Sequence, residues 1–227
     1  MIFIDPKLWA VASGTPIGNV DVGDIIQLRE NLAPVDYIVV HQGLPSSMYD
    51  ASCDGTWLLR KDIAENRVWD SGNSDVLERS DIQSYLNSAW INRYDTDIRN
   101  AIKQVKIPYR QNGGSDGTDR NGANGLSCKI FLLSGKEVGW DSSDNQYFPN
   151  DGAKLSYFLD GTGSSANQKR VATLNGRAND WWLRSPNTNG TGSVWTVYPS
   201  GSYNSWPVTS LPRGVRPALV LPSDFRI

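Results

Sequence analysis

The stretch DWWLRSPNTNGTGSVWTVYPSGSYNSWPVTSLPRGVRPALVL, residues 180–221, constrains this chain more than any other. Its ends are dense in Trp, Leu, Val and Ala, and DWWLRS, SVWTVYP and GVRPALVL read as strands. Between them stand Asn, Thr, Ser, Gly and Tyr in no periodic order. A chain built this way must carry a polar, irregular segment between firm strands close to its C-terminus. A binding surface on an indifferent scaffold meets that description.

The rest of the chain predicts an α+β protein with short antiparallel strands, two consecutive helices and long loops. GDIIQLRE and VDYIVVHQ are β-rich runs joined by the turn-like NLAP, and GTWLLRKDI is a third strand with Trp57 and Leu59 on one face. Ser80 is a suitable N-cap for DIQSYLNSAWINRY, where Ile82, Tyr85, Leu86, Ala89 and Trp90 recur at helical spacing. Thr96 caps a second helix, DIRNAIKQV. VKIPYR reads as an edge strand, because Pro108 has no N–H to donate. LSCKIFLLS reads as a buried strand, and NDGAKLSYFLDG as a short helix ended by Gly161. Residues 1–20 form a lead-in arm or linker, and residues 21–227 a single domain with its irregular segment at about 181–221. Loops longer than about 12–15 residues are uncommon in compact domains, and QNGGSDGTDRNGANG at 111–125 is one of several here.

The composition excludes several classes of function. Nine Trp, nine Tyr and a net charge of -2 argue for a packed core rather than disorder. A pI near 5.4 leaves no basic footprint for nucleic acid or an anionic membrane. No apolar run reaches the roughly 18 residues of a membrane span, and the N-terminus lacks the basic leader of a secretion signal. A virion or cell-surface location is favoured on other grounds below.

Persuasive chemistry is missing. His41 is the only histidine, placed at a strand end with Ser46 and Ser47 near it, and no G-x-S-x-G elbow presents a nucleophile. One His and two distant cysteines, Cys53 and Cys128, do not assemble a zinc site. Those cysteines are either one bridge or two buried thiols. SDGTDRNG at 115–122, with Asp116, Asp119 and Asn121, and DSSDN at 141–145 are partial calcium loops that lack the full spacing. No cofactor is expected, a structural calcium in these loops being the one alternative. GTGSS at 161–165 lacks the lysine of a phosphate loop.

WWLRSP followed some thirty residues later by GVRPAL resembles the C-terminal core of C-type-lectin-like variable proteins of diversity-generating retroelements, from gut bacteria and their phages. VGDIIQLRE, VDYIVVHQG and TWLLRKDI agree with the N-terminal half of that group. The resemblance implies a C-type lectin fold related to formylglycine-generating enzymes. It also implies a non-catalytic receptor- or surface-recognition role, in which adenine-directed copying diversifies fixed positions of a hypervariable C-terminal patch. Carried onto this sequence, the diversified positions are Thr196, Tyr198, Ser202, Asn204, Ser205, Pro207, Thr209, Ser210 and Pro212, with Asn187, Thr188 and Asn189 beside them. Tyr203 and Trp206 are expected as aromatic anchors. Adenine mutagenesis of an Asn codon does not yield Trp, so Trp195 is assigned to the core and Trp206 stands between scaffold and patch. Tyr, Ser, Gly and Asn are also the residues that antibody loops favour for contact. The expected ligand is a protein, or else a glycan. The sugar-binding E-P-N and Q-P-D calcium motifs do not occur. The alternatives are a fixed-specificity lectin-like or structural domain of a phage or cell-surface particle, or an enzyme on the same fold.

Overall fold

The computed structural model describes residues 14–159 and 164–227. Sixteen short strands run through it: β1 (Ile25–Glu30), β2 (Ala33–Gln42), β3 (Thr56–Arg60), β4 (Glu65–Arg67), β5 (Val105–Ile107), β6 (Tyr109–Gln111), β7 (Thr118–Arg120), β8 (Leu126–Cys128), β9 (Ile130–Phe131), β10 (Thr173–Leu174), β11 (Arg177–Ala178), β12 (Trp181–Pro186), β13 (Ser193–Val197), β14 (Tyr203–Pro207), β15 (Arg213–Val215) and β16 (Ala218–Leu221). Three short α-helices accompany them: α1 (Asp81–Ser88), α2 (Thr96–Ala101) and α3 (Ser164–Arg170).

Two five-stranded sheets organise the chain. The first has the order β1-β2-β3-β16-β9, antiparallel throughout. The second has the order β14-β13-β12-β15-β4, with only the β12–β15 contact parallel. Period-two alternation divides the apolar side chains between two cores. Leu58, Tyr37, Val39, Leu219 and Trp182 enter one core; Trp57, Leu59, Ile38, Val220, Trp181 and Leu183 enter the other. The central strands are therefore buried on both faces, which is why WWL and ALVL read as continuous apolar runs instead of alternating ones.

The expectation of an α+β, C-type-lectin-like fold is corrected: the protein is mostly β, with 32% strand, 19% helix and several small sheets. The helical pattern was real but overextended. Ser80 caps α1 as expected, its hydroxyl accepting the Gln83 N–H. The helix then stops at Ser88, and a 3-10 turn carries Trp90 inward. Side chains of Asn87, Ser88 and Asn92 bond back to the carbonyls of Gln83, Ser84 and Ser88, the local competition by which Asn and Ser weaken helices. In the second helix Thr96 is the first residue, and Asp95 holds the cap position. The segment expected as a helix at 150–161 makes only a 3-10 turn over Ser156–Phe158. Gly161 and most of GTGSS lie outside the described residues.

Of the expected arm, residues 1–13 lie outside the described residues. Residues 14–20 are docked: the N–H groups of Gly14, Ile17 and Gly18 donate to the carbonyls of Ile227, Phe225 and Ser223, and Ile17 is fully buried. No helix among the described residues is long and apolar enough to cross a membrane.

Candidate ligand-binding surface

The scaffold under the irregular segment is held by arginines that the sequence presents as ordinary polar residues of WWLRSP and GVRPAL. Arg184 is fully buried and makes a two-pronged ion pair with buried Glu137, at 2.5 and 2.7 Å. It also donates to the carbonyls of Pro108, Leu132 and Asp151. Burial opposes its charge, but Glu137 outweighs that penalty and leaves the guanidinium more basic than usual. Glu137 also accepts the Tyr49 hydroxyl at 2.7 Å and the Ser134 N–H at 2.9 Å. Arg216 is buried without a carboxylate; it lies 4.8 Å over the Trp181 ring and donates to the Arg60 carbonyl. Burial lowers its pKa to about 10. Arg213 stacks 4.0 Å from the Trp206 ring and donates to the Ser210 hydroxyl and the Leu211 carbonyl.

On this frame β13 and β14 form a hairpin at the edge of the second sheet, Val197 opposite Tyr203 and Ser193 opposite Pro207. Tyr198 N–H bonds the Ser202 carbonyl at one end, and Val208 N–H the Gly192 carbonyl at the other. By antiparallel alternation the main-chain groups of Tyr203, Ser205 and Pro207 face outward. Pro207 has no N–H, and the Ser205 N–H is taken by Asn204 Oδ1 at 2.8 Å. The outer edge is thus blunted against pairing with another strand, and contact falls to side chains.

Two devices outside the segment pre-organise it. Trp140, Phe148 and Trp195 stack in a row, and the Tyr203 ring stands edge-on to all three at 5.5–5.7 Å. The Tyr203 hydroxyl donates to the Asp144 carbonyl at 3.0 Å, while Thr188 and Trp195 donate to the Tyr147 carbonyl. Loop 141–147 is therefore clipped onto the hairpin. At the other end the buried Asp75 carboxylate accepts the N–H groups of Gly114 (3.1 Å) and Gly192 (3.0 Å), joining three loops. Its pKa is raised by burial, against those two bonds. A Cβ on Gly114 would stand 1.7 Å from the Gly190 carbonyl oxygen, so only glycine fits that junction.

The structure distributes the expected contact residues unevenly. Asn189, Tyr198, Tyr203, Pro207, Thr209 and Pro212 are exposed, and Asn187, Thr188, Ser202, Asn204, Ser205 and Ser210 are half-buried. Asn187 reaches the Ser205 hydroxyl at 3.0 Å, which brings the 187–189 turn onto β14. One assignment is corrected. Thr196 has no exposed surface, its hydroxyl turned toward the Asn204 carbonyl, so it is not a contact residue. Trp206 is half-buried, packed on the first core under Arg213 on one side and open on the other. Trp195 is buried, in the core to which the sequence assigned it. Leu211, at 78% exposure the most exposed large apolar side chain of the described residues, had no local signal, since one Leu among polar residues marks nothing. Asp75, Tyr147 and Gly114 came from distant parts of the chain and carried none either.

His41 does not meet Ser46 or Ser47. Its Nδ1 lies 2.7 Å from the Ser156 hydroxyl and 3.3 Å from the Ser156 N–H, capping the turn at 156–158. Burial lowers its pKa. Cys53 and Cys128 are both free and buried, with burial pushing their pKa values up to about 11 and about 12. Among the described residues no group of three or more His, Cys, Asp or Glu is placed to hold a metal ion. In the two calcium-like loops Asp119 pairs with Arg110, and Asp141 accepts the N–H and hydroxyl of Ser143.

Fold and surface together define a mostly β domain that displays a pre-organised, charge-free hairpin edge. Residues 54–223 match the model of a family described as a domain of unknown function (DUF6273), and the chain belongs to that family. No curated protein and no solved structure matches it.

Proposed function

We propose that this protein is a non-catalytic ligand-binding protein, that its contact surface is the exposed part of residues 187–212, and that this surface is diversified in the gene. The observation that carries the reading is one of charge and burial. From Asn187 to Pro212 no residue is charged, in a chain that is 20% charged, and the segment's exposed side chains are Tyr, Leu, Pro, Asn, Ser and Thr. Depletion of charge with enrichment of Tyr is the pattern of a protein–protein contact core. The segment's own core contribution is confined to Val194, Trp195, Thr196, Val197 and Val208, with Trp206 packed beside them. Tyr203 packs edge-on against Trp140, Phe148 and Trp195, and Gly201 lies against the Asn167 main chain; the remaining positions are free to change without loss of a buried contact. The resemblance of the flanking WWLRSP and GVRPAL to retroelement variable proteins supports the same reading. The ligand is a protein, engaged at the exposed Tyr198, Tyr203 and Leu211, at a virion or cell surface.

Sequencing the gene with its flanking DNA from many isolates tests this. Substitutions concentrated at Asn187, Asn189, Tyr198, Ser202, Asn204, Ser205, Pro207, Thr209, Ser210 and Pro212, with a nearby adenine-rich copy of the segment, are expected. An invariant segment, or variation spread evenly over the exposed surface, contradicts it.

A further inference from the structure

We infer that the buried Asp151 side chain is a pH-operated latch under one wall of this surface, closed when its carboxyl is neutral and released when it ionises. The inference rests on the contact-surface reading for its biological meaning, although the latch is a property of the fold alone.

Asp151 is 1% exposed. Its Oδ2 accepts the Ser185 hydroxyl at 2.6 Å, and Ser185 accepts the Gly135 N–H at 2.8 Å. Its Oδ1 has no hydrogen-bond partner among the described residues. A buried carboxylate with one oxygen unsatisfied is costly, whereas the neutral acid is tolerated in the same space. Arg184 and the Ser185 hydroxyl both favour the ionised form, but burial outweighs them. Arg184, from β12, donates to the Asp151 carbonyl, but its charge is answered by Glu137 from the 134–137 turn, which Tyr49 also bonds. Asp119, from the β6–β7 hairpin, faces Asp151 with a second negative charge, itself paired with Arg110. Lys136 is turned away onto Asn150 Oδ1. Burial accordingly pushes the Asp151 pKa up from 3.8 to about 7.

The latch has a mechanical connection to the surface at both ends. Ser185 lies two residues before Asn187. On the other side Asn150 N–H bonds Asp119 Oδ2 at 3.1 Å, and Tyr147 accepts Thr188 and Trp195. Ionisation is relieved by turning Asp151 toward water. That breaks the Ser185 bond and frees segment 147–151 from the edge of the hairpin. Because the folded, closed form holds the proton more tightly than the open form, closure is complete well below neutral pH and is lost as pH rises through about 7.

The test is hydrogen exchange of the full chain from pH 5.5 to 8.5, followed by mass spectrometry on peptides covering 144–153 and 185–192. Expected in the wild type, after correction for intrinsic exchange, is a rise approaching tenfold per unit of pH as the pH climbs toward about 7, levelling off above it. In Asp151→Asn, which keeps the shape and cannot ionise, the rise is expected to be absent. A carbon-13 titration of the aspartate carboxyls in the wild-type protein supplies the midpoint even if that variant fails to fold. A midpoint below pH 5, or a pH response unchanged in Asp151→Asn, overturns the latch. Neither result bears on whether residues 187–212 bind a ligand, which allele sequencing decides separately.

Discussion

The flanks and the middle of the 180–221 segment invert the usual arrangement of charge. The flanks bury theirs: Arg184, Arg213 and Arg216 are each under 10% exposed, held by Glu137, by aromatic faces and by main-chain carbonyls. The middle carries no charge and leaves Tyr198, Tyr203 and Leu211 in solvent. Planar guanidinium groups satisfy many carbonyls from one side chain, so the flanks fix their geometry with few residues. The middle depends on clips at Asp75, Asp144 and Tyr147, and apart from Tyr203, which makes the Asp144 clip, its outward side chains are left with little part in folding. Rigidity and contact are assigned to different residues of one short stretch.

The comparison can be broken most sharply at Arg184. Arg184→Met leaves Glu137 charged and fully buried, and is expected to cost about 3–5 kcal/mol of unfolding free energy in denaturant titration. Adding Glu137→Leu should return much of that loss; an unrescued double variant would mean the network serves more than its own charges. Next in size is the junction of loops. Gly114→Ala should cost about 1–3 kcal/mol by forcing apart Gly114 and Gly190, and Asp75→Ala a similar amount by orphaning two N–H groups. Both should raise protease sensitivity in 187–192 before global unfolding does.

A smaller effect concerns pH. Because burial depresses the His41 pKa below 6.5, its contribution to stability is present above about pH 6.5 and lost as pH falls through the folded value. The melting temperature should decline on acidification, and less so in His41→Asn, whose side-chain oxygen can still cap Ser156. The smallest effects belong to the middle itself: Tyr198→Ala, Pro207→Ala and Thr209→Ala are each expected within about 0.5 kcal/mol of wild type.

Much of the strand framework was legible in the sequence, because a strand buried on both faces writes itself as an unbroken apolar run. GDIIQLRE, VDYIVVHQ, TWLLR, WWLRS and SVWTV all became strands. The overall class was not legible. Helical spacing across 81–94 recorded which faces meet the core, while the Asn and Ser side chains that shorten α1 act through individual bonds that no periodicity shows. Register was equally hidden: Thr196 and Tyr198 look alike in sequence, yet one is buried beside Asn204 and the other is exposed. The clips at Asp75 and Tyr147 are contacts between residues 39 to 117 positions apart, and nothing local announces them.

The separation of contact from folding is tested most directly by two pooled libraries, each displayed and sorted for protease resistance. One randomises Asn189, Tyr198, Ser202, Asn204, Pro207, Thr209, Ser210 and Pro212 together; the other randomises the same number of flank positions drawn from Trp181–Ser185 and Gly214–Val220. Most members of the first should survive at wild-type protease concentration, and almost none of the second. Equal losses in both libraries would show that the middle carries the fold as well, and the account of a displayed contact surface would be wrong.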